Sequence, residues 1–180
     1  AGKNRIIVAT FASNIHRVQQ IINVAHSLGR KVAMIGRSLE NVVNVSASLG
    51  YLNIPENVLI NADLIKDYQP EQLVIVTTGS QGEPMSALTR MAFQGEPLSA
   101  LHRIAFSEHR QVEIIPGDMF IISATPIPGN EKTVGNVVNE LMKLGATVIY
   151  EKMYDVHVSG HACQEELKIM LGLVKPRYFI

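Results

Sequence analysis

The sequence predicts an α/β, Rossmann-like fold, a largely parallel sheet with helices on both faces. Three observations predict it. Short β-branched runs alternate with amphipathic stretches along the chain. The clearest runs, "RIIVAT" (5–10), "KVAMIG" (31–36) and "EQLVIVTT" (71–78), are mostly apolar without alternation, as strands buried on both faces are. Gly29, Gly50 and Gly145 each follow an amphipathic stretch, where a helix stops. Such alternation implies right-handed crossovers and a sheet covered on both sides.

The elements follow in order. After the first strand, Ile15, Val18, Ile21, Ile22, Val24, Ala25 and Leu28 recur at helical spacing, which predicts a helix over 14–28. The second strand leads to Ser38, a candidate cap for a helix through Leu49. "ENVLINADLIKDYQP" (56–70) reads as a short extended piece and a short helix. A strong strand over 71–78 precedes a mostly helical stretch. "RQVEI" (110–114) and "DMFIISAT" (118–125) are expected to be extended, with Pro116 and Gly117 between them. A helix over 130–144, a strand over 147–150, a helix over 164–173 and a strand over 177–180 complete the pattern.

The 180 residues fit one domain, 1–180, with a good core. Hydrophobic residues make up 47% and charged residues 18%, the balance of a globular protein. Net charge is zero, so the chain as a whole is not a polyelectrolyte that grips nucleic acid indiscriminately. A single cysteine, Cys163, excludes an internal disulfide and suits a reducing, cytoplasmic setting. No apolar run reaches transmembrane length and no signal peptide opens the chain, so no membrane partner is expected. Residues 1–5 lead straight into a strand, as at the start of an excised domain.

In open parallel sheets ligands sit beyond the carboxyl ends of the strands. The loops expected there are rich in small, hydroxyl, amide and His residues. In "DVHVSGHA" (155–162), Ser159, Gly160 and Ala162 let backbone N–H groups approach an anion just before a helix, and His161 adds a donor or a charge. A helix cap with two rim histidines explains the same residues. His157 and His161 have helical spacing, but Gly160 disfavours a helix and no third or fourth metal ligand accompanies them. "TTGSQGEP" (77–84) offers Ser80 and Gln81 as hydrogen-bonding groups between Gly79 and Gly82. It lacks the Gly-Lys-Ser/Thr of a P-loop and the dinucleotide glycine fingerprint, and an ordinary strand-to-helix turn explains it equally. "FASNIHRVQQ" (11–20) places Ser13, Asn14, His16 and Arg17 at a helix start. Either Ser13 or Asn14 caps, with His16 and Arg17 solvated, or the group contacts a phosphate or base. Arg37 in "GRS" (36–38) carries the same two readings. In "SATPIPGNE" (123–131), two prolines fix a loop before a helix, and Glu131 suits its first turn.

One feature is unusual in a globular domain. "QGEPMSALTRMAF" (81–93) is followed without a gap by "QGEPLSALHRIAF" (94–106). Only Met85/Leu98, Thr89/His102 and Met91/Ile104 differ. In one continuous helix, 13 residues would rotate the second copy by about 140° relative to the first, so the apolar faces would disagree. Gly95 and Pro97 also disfavour an unbroken helix. One copy is expected in the core while the other forms an extra helix or loop, or packs on another chain.

Together, "VATFASNIHRVQQI", "TTGSQGEPMSALTRMA", "ATPIPGNE" and "VHVSGHA" with the following "EEL" resemble ribonuclease J, the bacterial metallo-β-lactamase/β-CASP RNase family. The resemblance spans essentially the whole chain, in order, and implies the β-CASP domain. It implies RNA as partner, RNA degradation or processing including 5′-to-3′ removal from 5′-monophosphate ends, and a two-metal, usually zinc, centre in the complete enzyme. It makes His161 similar to the family's motif B histidine. It likens Ser159, Gly160, His161 and Ala162 to the pocket for a terminal phosphate, and puts Ser13, His16, Ser80, Gln81 and His157 on the RNA-facing side. The His-x-His-x-Asp-His metal motif and the acidic motif A are absent from these residues, and the chain stops before the Pro-x-His-Gly-Glu segment. The chain alone is therefore expected to hold no metal and to lack hydrolytic activity, with the metallo-β-lactamase domain as its missing partner. The family pattern has one copy of the repeated phrase, so 94–106 reads as a tandem duplication. Two other readings stand beside this one. One is a generic Rossmann-like nucleotide-binding domain; the other is an assembly module that forms a homodimer through the duplicated segment.

Overall fold

A computed structural model describes residues 4–78, 112–124, 129, 131–150 and 163–178. Six parallel strands form one sheet among these residues, in the order β3-β2-β4-β1-β5-β6. They are β1 (Ile6–Ala9), β2 (Lys31–Ile35), β3 (Leu59–Ile60), β4 (Leu73–Thr77), β5 (Met119–Ile122) and β6 (Thr147–Ile149). The helices among the described residues are α1 (Ile15–Ser27), α2 (Arg37–Ser48), α3 (Glu131–Lys143) and α4 (Gln164–Val174), with 3-10 turns at Ala62–Asp67 and Pro70–Gln72.

The unbroken apolar runs have a simple cause. Successive side chains of a strand leave on opposite faces, and here both faces are covered. Ile7 and Ala9 of β1, Ala33 and Ile35 of β2, Leu73 and Ile75 of β4, and Phe120 and Ile122 of β5 enter one core. Val134, Val137, Val138 and Leu141 of α3 cover that core. Val8, Val32, Met34, Val74 and Val76 enter the other, beneath Val18, Ile22 and Ala25 of α1 and Leu39 and Val43 of α2. The expected α/β sheet with helices on both faces is the observed one, and every strand pairing is parallel.

The amino ends of the strands are clamped by buried charge. Arg5 Nε donates to Asp118 Oδ1 at 3.0 Å, and Arg5 Nη2 donates to Asp118 Oδ2 and to the Glu113 carbonyl. Arg30, 4% exposed, donates through Nη1 to the carbonyls of Asn4 (2.9 Å) and Leu73 (3.2 Å). These bonds join β1, β4 and the segment before β5, and they leave the carboxyl ends to the loops.

Some expectations are corrected. Ser38 does not cap α2: the N-cap is Gly36, at φ +121, and the helix is already running at Arg37. Gly36 is closely placed as well, since a Cβ there would lie 3.3 Å from Thr78 Oγ1 at the end of β4. The described part of 110–114 is no strand of the sheet, although Val112 and Ile114 are buried in the core beside α3. Arg177 and Tyr178 are not in a strand either: Lys175 turns left-handed (φ 45) at the end of α4 and sends the chain away. α4 buries none of its residues, and Leu167, Ile169, Met170, Leu173 and Val174 are exposed. No helix among the described residues is long and apolar enough to cross a membrane.

Candidate nucleic-acid interface

The chain leaves β1 outward to β2 and β3, returns to put β4 beside β1, then crosses to β5 on the other side. The carboxyl ends of β4, β1 and β5 therefore lie side by side where the direction of winding reverses, the place where open α/β sheets bind ligands. Register aligns them: Ala9 pairs with Thr77 on one side and Ile122 on the other. Hydroxyl residues finish each run there. Thr10, Thr77 and Ser123 are all buried. Thr10 N–H donates to the Thr77 carbonyl at 3.0 Å, and Ser123 N–H to the Ala9 carbonyl at 2.9 Å. Thr10 Oγ1 is buried without a hydrogen-bond partner. Such a hydroxyl costs about 1–3 kcal/mol unless a water or ligand satisfies it.

Above these ends sits the start of α1. Asn14 Oδ1 accepts from Arg17 N–H at 3.1 Å, so Asn14, not Ser13, is the cap. That leaves Ser13 and His16 exposed at the first turn, beside N–H groups that carry the positive end of the helix. Arg17 is not solvated. It is half-buried, and its Nη1 donates to the Ser123 carbonyl at 2.6 Å, which ties the first turn of α1 to the end of β5. Arg37 is exposed at the first position of α2, and Gly36 lets its loop close against Thr78. Glu131 Oε2 accepts from Gly129 N–H at 2.8 Å, so it holds Gly129 as well as suiting the first turn. Cys163 N–H donates to Glu166 Oε2 at 2.7 Å, closing the first turn of α4.

Among the expected site residues, Ser13 and His16 are thus brought to the carboxyl-end face. Ser80, Gln81, His157, Ser159, Gly160, His161 and Ala162, and both copies of the repeat, lie outside the described residues. No group of three or more His, Cys, Asp or Glu among the described residues could hold a metal. Sequence reasoning passed over Thr10, Thr77 and Ser123. Their signal was a hydroxyl closing an apolar run in "IIVAT", "LVIVTT" and "FIIS".

The family description "Ribonuclease J, beta-CASP domain" matches residues 3–94 and 92–141, two pieces that meet inside the repeat. Ribonuclease J of Thermus thermophilus is 47% identical over 176 residues, 98% of this chain and 28% of that protein. Ribonuclease J of Helicobacter pylori is 46% identical over 179 residues, 99% of this chain and 24% of that protein. Ribonuclease J2 of Bacillus subtilis is 43% identical over 179 residues, 99% of this chain and 30% of that protein. The chain spans less than a third of the length of these relatives. Matched along nearly its whole length, and folded as an all-parallel sheet, the chain belongs to the ribonuclease J β-CASP domain family.

Proposed function

We propose that this chain is the RNA-facing part of a ribonuclease J-like metallo-nuclease and contributes substrate and 5′-phosphate binding. One observation carries the reading: the family segment "FASNIH" folds as an open helix start at the carboxyl end of the central strand, with Ser13 and His16 exposed over a buried hydroxyl layer. The backbone N–H of His16, a serine hydroxyl and an imidazole suit a phosphate oxygen. Arg17 serves this face by tying the start of α1 to the end of β5.

The described residues supply no metal-ligand set. In the complete protein a metal centre outside this chain would activate the hydrolytic water. Ser159, Gly160, His161 and Ala162 would hold the terminal phosphate, with His161 also acting near that centre. This chain's own work is binding and orientation, so the 180 residues alone cleave nothing.

The test compares 5′-monophosphorylated and 5′-hydroxyl oligoribonucleotides with the full-length protein and with its Ser13→Ala and His16→Ala variants. The expected result is a loss of about tenfold or less in affinity per variant, larger for the phosphorylated RNA. Unchanged affinity in both variants would refute the placement of the RNA face. Metal-dependent cleavage by the 180-residue chain, lost with chelator, would refute its passive role.

A further inference from the structure

A cavity opens at the same end of the sheet, away from α1. It holds about 390 Å³ and lies between α2 and the carboxyl ends of β2 and β3. That volume falls within the range of small-molecule pockets, roughly 300–1,000 Å³. Its walls divide by chemistry. Met34 and Val43, both buried, and Leu59 make an apolar floor. Glu40 and Asn44, one turn apart on α2, and Asn61 supply the polar groups. Asn61 Oδ1 accepts from Asp63 N–H at 3.0 Å, which leaves its amide N–H groups to the cavity. The side chains of Glu40 and Asn44 make no hydrogen bond among the described residues.

The ligand class follows. Among the described residues the lining has no cationic side chain, and its one charge is the carboxylate of Glu40. It repels phosphate and favours a group with N–H donors. The apolar floor favours a flat ring. A carboxylate is matched by two adjacent N–H donors, and an amide one turn along can donate to a neighbouring oxygen. Guanine carries that sequence on its Watson–Crick edge: an amine, a ring N–H and a carbonyl. Uracil presents only one donor, between two carbonyls. We propose that this cleft is a base-recognition subsite for guanine, with Glu40 accepting from the ring N–H and the amine and Asn44 donating to the carbonyl oxygen. This rests on the RNA-binding reading. The cleft lies about 12 Å across the sheet from β1, within the span of one short RNA strand.

The test uses the full-length protein carrying ¹³C-methyl methionine, with Met34 as the reporter on the cavity floor. Guanosine, which has no phosphate, is titrated, then uridine. The Met34 methyl signal should shift saturably with guanosine and stay still with uridine. Glu40→Gln should weaken guanosine binding about tenfold, and Asn44→Ala should weaken it less. A Met34 signal unmoved by guanosine, or moved equally by uridine, overturns the proposal. So does unchanged guanosine affinity in both variants. A 5′-monophosphorylated oligouridylate, measured in parallel, separates the two claims. If it binds while guanosine does not, only the guanine subsite falls. If guanosine binds and it does not, the RNA-face reading falls and the cleft stands as a nucleoside site.

Discussion

Removing the carboxylate of Asp118 should be among the most costly single changes in this domain. Asp118 accepts three N–H groups: Arg5 Nε at 3.0 Å, Arg5 Nη2, and the Ile115 backbone at 3.0 Å. Side-chain exposure is 8% for Arg5 and 1% for Asp118. Asp118→Ala strands a guanidinium charge where water cannot reach it, because the arginine cannot shed its proton. The expected cost is about 3–5 kcal/mol, set by the unpaired charge rather than by the attraction lost. The surface pair Lys143–Glu140, its lysine 69% and its glutamate 21% exposed, should cost less than about 1 kcal/mol when broken. The assay is urea unfolding of the chain, read as a fall in midpoint at unchanged slope. The double variant Arg5→Met with Asp118→Leu is the decisive arm. It removes both charges together and should recover most of the loss. A loss below about 1 kcal/mol for Asp118→Ala, or strictly additive losses in the double variant, would refute the clamp.

Other outcomes are expected on the same reasoning. Gly145→Ala should destabilise by roughly 1–3 kcal/mol in unfolding, because φ is +86 and a Cβ would lie 3.1 Å from Pro116 Cβ. Arg17→Ala should cost about 1 kcal/mol of stability and weaken RNA binding, and Arg17→Lys should recover part of each; unchanged affinity would separate Arg17 from the RNA face. Leu88→Ala and Leu101→Ala, at equivalent positions of the two copies of the repeat, should differ. The core copy loses about 2–5 kcal/mol and the other clearly less, whereas equal large losses in unfolding would mean that both copies are core.

The sheet was legible because burial on both faces leaves a direct trace. A strand covered on one side only would alternate, and "LVIVT" does not. α1 was legible to within a residue because Val18, Ile22 and Ala25 repeat at helical spacing and Gly29 ends the stretch. The start of α2 was not legible. Ser38 looks like a cap by composition, but the N-cap is Gly36, whose close neighbour Thr78 is 42 residues further on in sequence. Val112 and Ile114 show a related limit. Alternating burial suggests a strand, yet a pleated segment joins a sheet only if an edge is free beside it. Here the neighbours of β5 are already β1 and β6.

The same distinction governs the candidate site. Ser13 and His16 were legible as a helix start, because capping chemistry is local. The role of Arg17 was not, because its partner is the carbonyl of Ser123, and a backbone acceptor leaves no mark on the sequence. Arg5 and Asp118 carried no local signal either, since 113 residues separate two charges that meet at the amino end of the sheet. Both long-range bonds use arginine, yet they act at opposite ends. At the amino end the Arg5 guanidinium is held by a carboxylate and a carbonyl, which makes a buried clamp. At the carboxyl end Arg17 gives one N–H to a carbonyl, and it stands beside a helix start and a buried hydroxyl that has no partner. Among the described residues, the one buried side-chain polar atom without a partner lies at the carboxyl end, and the buried ion pair lies at the amino end. That difference between the two ends, rather than any single residue, is what supports the proposal that RNA lies on the carboxyl-end face.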